Sequence, residues 1–267
     1  MEKATARYGR DVPIDEAAGL ADELLARLRA LANPENAAGM ARFGISPAGT
    51  LGVSMGPLRA IVAELRPLRR SDTALLHEAA GRLWASGVHE ARILAGLLDV
   101  PALVTRAQAD AWVADLDSWD TCDQLMHLVA ATAFAYDAVP AWVAREETFV
   151  RRAGLVLLCT LAVHDKRAPD ERLVGLLPLV ESVADDERQS VSKAVSWALR
   201  QVGKRSPACH AAAIACAERI VEAHAGRGHG SATGTAGDRA ARWAARDALR
   251  ELRSGAVRRR LGADDQK

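Results

Sequence analysis

From Pro13 to Ala32 the chain reads PIDEAAGLADELLARLRALA, with apolar side chains at Leu20, Leu24, Leu25, Leu28 and Leu31. Steps of three and four residues place them on one stripe of an α-helix. The pattern returns along almost the whole chain. It predicts helices at about 57–68, 71–86, 88–100, 106–116, 119–135, 138–146, 148–164, 169–184, 187–203, 206–224 and 238–254. NAAGMARFGI predicts a shorter helix, and the Gly- and Pro-rich stretch after it a loop. Pro101, Pro140, Pro169 and Pro207 fall at junctions, where a missing N–H costs least. Alternating apolar–polar runs, the mark of half-buried strands, are scarce. The connections are short, so consecutive helices should form antiparallel hairpins.

Three of these helices share a pattern. VHEARILAGLLDV begins at Val88, VRRAGLVLLCTLA at Val150 and VSKAVSWALRQVG at Val191. The last two start 41 residues apart, a period typical of stacked helix pairs. The expected fold is all-α, a HEAT-like helical-repeat solenoid with a concave face built from the second helix of each pair.

Composition agrees with this reading. Hydrophobic residues make up 49% of the chain but aromatics only 4%, and the dominant Ala, Leu, Arg and Glu are strong helix formers. The net charge of +1 argues weakly against a nucleic-acid binder, although it says nothing about how charge is distributed. Cys122, Cys159, Cys209 and Cys216 form no CxxC pair. They read as small core residues in a reducing cytoplasm. The seven histidines show no metal-binding spacing, and no apolar run reaches the ~18–20 residues that span a bilayer. No metal, cofactor or membrane is therefore expected. Residues 225–238, AGRGHGSATGTAGD, read as a flexible linker. The expected organisation is a repeat domain over 1–224, the linker, and a C-terminal helix with a basic tail over 239–267. That helix carries Arg242, Arg246, Arg250 and Arg253 as a basic stripe, either a further contact surface or a solvated face.

The chemistry concentrates on two helices. In SWDTCDQL, Trp119 and Asp123 lie four residues apart and share a face. Ser118 suits an N-cap and Asp120 the first turn, whereas capping explains Asp123 less well. In the last repeat, Lys193 and Trp197 are again four apart, and Arg200 and Lys204 continue their row. Arg152 occupies the position in the preceding repeat that Lys193 occupies in this one. The bland reading makes each Trp a packing residue and each Lys or Arg a solvated one. The alternative is an anion-binding surface.

In this order, GMARF, RLWASGVHEARILAGLLDV, SWDTCDQL, FVRRAGLVLL and VSKAVSWALRQVGK resemble the HEAT-like-repeat DNA alkylation repair glycosylases of the AlkD type. The resemblance spans about residues 35–210. It implies an active-site cleft formed by Trp119, Asp123 and Trp197, with Arg152 binding DNA. Phe43 stands where the family often has Tyr. Lys193, Arg200, Lys204 and Arg205 would join Arg152 and Phe43 in gripping DNA. The implied substrate is double-stranded DNA carrying N3- or N7-alkylated purines, hydrolysed without a base-flipping pocket by a monomer needing no protein partner. Two other readings stay open: a non-catalytic DNA-binding paralogue of the same fold, and a HEAT-type protein-interaction scaffold.

Overall fold

A computed structural model describes residues 14–225 and 234–262, and no strand occurs among them. The chain divides into two compact units, Met1–Ala133 and Phe134–Lys267. The first unit holds α1 (Ile14–Ala30), α2 (Pro34–Met40), a 3₁₀ turn (Ala41–Phe43), α3 (Met55–Glu64), α4 (Leu68–Ser71), α5 (Thr73–Ala85), α6 (His89–Leu98), α7 (Arg106–Ala114) and α8 (Trp119–Val129). The second holds α9 (Ala135–Val143), α10 (Thr148–His164), α11 (Asp170–Val174), α12 (Leu177–Ser182), α13 (Gln189–Gly203), α14 (Pro207–Ala223), α15 (Ala236–Leu252) and α16 (Gly255–Arg260).

In the first unit α5 packs on α1 and α6, and α6 on α8. Leu24, Leu28, Leu76, Leu83, Leu94, Leu98 and Leu125 are almost fully buried, as the helical stripes require. Side-chain caps define the helix starts: Asp72 accepts from the Leu75 amide and Thr105 from the Gln108 amide. Trp84 and Trp112 stack with centroids 4.4 Å apart, and the Trp84 indole donates to Asp115 at 2.9 Å.

In the second unit α10, α13 and α15 lie side by side, with α9 against α10 and α14 against both α13 and α15. The close approach of α9 to α10 depends on Gly154, where a Cβ would stand 2.7 Å from the Val143 amide nitrogen. At Gly203 a Cβ would meet Leu252 at 2.7 Å.

The structure departs from the sequence pattern at several places. The helix expected over 119–135 ends at Val129, where the Thr132 hydroxyl and amide both take the Val129 carbonyl. The next helix therefore starts at Ala135 and carries Pro140 in its interior, at the loss of one backbone bond. The helix expected over 169–184 splits into α11 and α12, because Pro178 belongs in a first turn. Leu31, grouped with the stripe of α1, lies beyond its end and is exposed. The linker expectation falls mainly on 226–233, outside the described residues. Thr235 and Asp238 are not linker: they form a reciprocal capping box that starts α15. Part of the basic tail is helical, as α16. The helix expected as a separate C-terminal segment packs against α13 and α14 inside the second unit. No helix among the described residues is long and apolar enough to cross a membrane.

Candidate nucleic-acid interface

Helix α8 buries Thr121, Cys122, Leu125, Met126, Leu128 and Val129. Its opposite row presents Trp119, 40% exposed, the half-buried Asp123 and the exposed His127. Trp119 and Asp123 therefore share a face turned away from the core. Ser118 holds the N-cap position with extended backbone, but its side chain caps nothing; its hydroxyl donates to Thr121 Oγ1 at 3.0 Å. Asp120 does more than complement the helix dipole. Its Oδ1 accepts from the Thr121 amide at 2.9 Å, and its Oδ2 lies 2.9 Å from His89 Nε2. Burial pulls the His89 imidazole toward neutrality, yet the Asp120 hydrogen bond and charge raise its pKa overall. Burial likewise disfavours charge on Asp120, and the His89 bond outweighs it, lowering its pKa. This ion pair pins the first turn of α8, and with it Trp119, to the start of α6. Nothing in the sequence singles out His89, which reads as one more polar residue of an amphipathic helix.

Phe43, 69% exposed, ends the 3₁₀ turn. Its carbonyl accepts from the Trp119 indole at 3.0 Å. Two exposed aromatics 76 residues apart in sequence are thus tied together. The turn that carries Phe43 is itself anchored from below. Glu90, fully buried, accepts from the amides of Leu51, Gly52 and Val53 at 2.8, 2.6 and 3.1 Å. That loop holds the start of α2: the Asn33 amide donates to Leu51, and the Asn36 side chain to the Gly52 carbonyl. A Cβ at Gly52, φ 79°, would stand 2.1 Å from the Asn33 carbonyl oxygen, so only glycine fits there.

In the second unit, α13 presents the exposed Lys193 and the half-exposed Trp197 on one row. Arg152 on α10 is 5% exposed, and its Nη1 donates to the Ser190 carbonyl at 2.7 Å. The remaining basic candidates are engaged within the unit. Arg200 pairs with Glu251 at 2.8 Å, and Lys204 with the same carboxylate at 2.7 Å. Burial alone would raise the Glu251 pKa, but Lys204 and Arg200 hold it below the ordinary value. Arg205 donates to the carbonyls of Ala162, Asp165 and Ala168 at 3.2, 2.6 and 2.8 Å. Arg200, Lys204 and Arg205, expected to grip phosphates, are all engaged within the unit in this structure. Arg200 and Lys204 staple α13 to α15, and Arg205 clasps the loop after α10. Among the described residues no three His, Cys, Asp or Glu side chains gather as metal ligands.

The chain is thus a helical-repeat protein with an exposed aromatic–carboxylate row in its first unit and an aromatic–lysine row in its second. The family model described as DNA alkylation repair enzyme matches residues 24–252, and the chain belongs to that family. None of the curated proteins compared with it matches. A solved structure described as a new family of proteins related to the HEAT-like repeat DNA glycosylases with affinity for branched DNA structures is similar to it. The TM-score is 0.64 at 20% identity, over 90% of this chain and 95% of that one. The fold is therefore the HEAT-like repeat fold, and the family model's match extends over α15.

Proposed function

We propose that this protein is a DNA glycosylase that releases N3- and N7-alkylated purines from duplex DNA. The observation that carries the reading is the α8 row. Asp123 stands one turn after Trp119, on a face turned away from the core, with Trp119 tethered to Phe43. An N3- or N7-alkylated purine is cationic and leaves without being protonated. When its C1′–N bond breaks, the electron pair departs with the base and cancels its charge. Water then adds to C1′ and loses a proton. Such a reaction needs no general acid, unlike most glycoside hydrolysis. One carboxylate suffices to stabilise positive charge developing on the sugar, or to orient the water, and Asp123 is assigned that part. Trp119, and Trp197 in the second unit, offer faces suited to a cationic base, at about 0.5–2 kcal/mol each. Lys193 supplies a phosphate contact. Arg152, which the family resemblance assigns to DNA, would have to exchange its bond to Ser190 for a phosphate.

The test is release of 7-methylguanine from methylated duplex DNA. Asp123→Asn should abolish it while leaving DNA affinity within a few-fold of wild type. Equal release by variant and wild type would remove Asp123 from the mechanism. A second reading, a non-catalytic binder of branched DNA, is favoured by what the similar solved structure is described as binding. It expects no release by the wild type and tighter binding to a four-way junction than to a linear duplex of the same length.

A further inference from the structure

Helix α15 divides sharply around its circumference. Ala241, Ala244, Ala245, Ala248, Leu249 and Leu252 are buried. Opposite them, Arg239, Trp243, Arg246, Arg250 and Arg253 are all exposed, at steps of four, three, four and three residues. Arg242, which the spacing alone assigns to this stripe, is turned aside to the His224 carbonyl. Trp243, 47% exposed, stands in the row instead. Helix α16 adds the exposed Arg258, Arg259 and Arg260. Over 236–262 eight arginines face three carboxylates, and those carboxylates are committed elsewhere. Asp238 forms the capping box, Asp247 accepts from Ser196 at 2.7 Å, and Glu251 holds Arg200 and Lys204. Helix α15 thus turns Asp247 and Glu251 toward α13 and presents most of its arginines outward. The pairs that remain on the stripe, Arg250 with Asp247 and Arg253 with Glu218, are surface pairs. Such pairs contribute little and exchange readily.

We propose that the outward face of α15 and α16 binds the backbone of double-stranded DNA, as a surface additional to the α8 and α13 rows. Charge complementarity and reach favour this occupant. From Arg239 to Arg253 the stripe runs about 21 Å at ~1.5 Å per residue. A duplex carries about 12 phosphates over that length, so the stripe follows several base pairs rather than one nucleotide. The stripe also continues the α13 surface. The bonds Ser196–Asp247, Arg200–Glu251 and Lys204–Glu251 advance together, so α13 and α15 run parallel. Trp243, one turn before Asp247, therefore falls level with the turn of α13 that carries Lys193. Its exposed ring sits where it can lie against a sugar or an unpaired base.

The experiment titrates a fluorescent 30-base-pair duplex by anisotropy at several KCl concentrations. Wild type is compared with Arg239→Gln/Arg246→Gln/Arg250→Gln, and with Arg29→Gln/Arg66→Gln/Arg70→Gln, which removes equal charge from exposed positions of the first unit. The α15 variant should bind at least about tenfold more weakly at low salt. Its plot of log affinity against log salt should flatten by about 2 to 3, at ~0.9 per lost phosphate contact. The Arg29/Arg66/Arg70 variant should stay near wild type. No loss in the α15 variant, or an equal loss in both, overturns the proposal. Melting temperatures within a few degrees of wild type show that both variants fold. Release of 7-methylguanine is a separate readout: its absence in wild type defeats the glycosylase reading and leaves this one standing.

Discussion

Removing the Glu90 carboxyl is expected to unfold the support of the Phe43–Trp119 pair. Both oxygens of this fully buried side chain receive backbone N–H groups, at 2.6, 2.8 and 3.1 Å. In Glu90→Ala all three donors lose their acceptor. The Leu51 amide lies in a half-exposed residue and can turn to water, but Gly52 and Val53 are buried. An orphaned buried donor costs about 1–3 kcal/mol, so two such donors and a small cavity cost roughly 3–5 kcal/mol. With a urea m-value of about 2 kcal/mol per molar, the midpoint should fall by about 2 M at unchanged slope. Near-UV circular dichroism is a suitable probe, because the stacked Trp84–Trp112 pair reports on the first unit. Glu90→Gln keeps one acceptor oxygen but sets an amide donor against a backbone donor, so its loss should be intermediate. The order Ala below Gln below wild type is the signature. A midpoint shift under about 0.5 M for Glu90→Ala would mean that water satisfies these amides, and the argument from Glu90 to Phe43 would fail.

Other expectations follow from the same geometry. His89 has a raised pKa, so its pairing with Asp120 contributes stability that is complete below the ordinary histidine value of about 6.5 and is lost as pH rises through the raised one. Asp120 has a lowered pKa, so its contribution is present above the usual carboxylate range and is lost as pH falls through the lowered value. His89→Gln should therefore flatten the decline in melting temperature as pH rises above about 6.5, and an unchanged profile would discount the pair. His77, raised chiefly by its hydrogen bond to Asp99, adds a decline of the same sign, so His77→Gln is the necessary comparison. Gly154→Ala should destabilise the second unit by about 1–3 kcal/mol, because the added methyl meets the Val143 and Val139 backbone as well as the Val143 side chain. Cys216 is fully buried, and burial followed by the nearby Glu181 charge pushes its thiol up to about 12. It should resist iodoacetamide at pH 8 until the protein is unfolded in urea.

The parts of this protein that were legible in sequence are those set by local periodicity. Apolar spacing of three and four residues located the long helices, and the same spacing placed Trp119 and Asp123 on one outward row. What periodicity could not show is which polar side chain meets which. The stripe on α13 and the stripe on α15 each look solvated when read alone. Only their packing turns Asp247 and Glu251 onto Ser196, Arg200 and Lys204, so that these residues hold α13 against α15. The partners of Arg205 were hidden for the same reason, since the carbonyls it clasps lie 37 to 43 residues earlier. The Trp119–Phe43 bond joins a helix to a turn far back in the chain, and no spacing rule reaches that distance. Pro140 shows a local rule overridden: packing of α9 on α10 keeps a helix running through a residue that disfavours its interior.

One position of the repeat shows how a solenoid turns equivalent sites to different uses. Glu90, Arg152 and Lys193 each stand two residues after a valine near the start of their helix, at Val88, Val150 and Val191. All three lie in the first turns of a helix, yet the three side chains meet different things. Glu90 is fully buried under a loop whose three amides require an acceptor. Arg152 is buried beside the first turn of α13, where the Ser190 carbonyl requires a donor. Lys193 has α15 beside its helix and remains exposed. The charge at this position follows what the next segment of chain presents: amides, then a carbonyl, then solvent. The first two are engaged by the fold, and the third faces solvent. The net charge near zero therefore conceals the electrostatics that matter, because many of the carboxylates are spent inside the units while arginines and Lys193 stay outside.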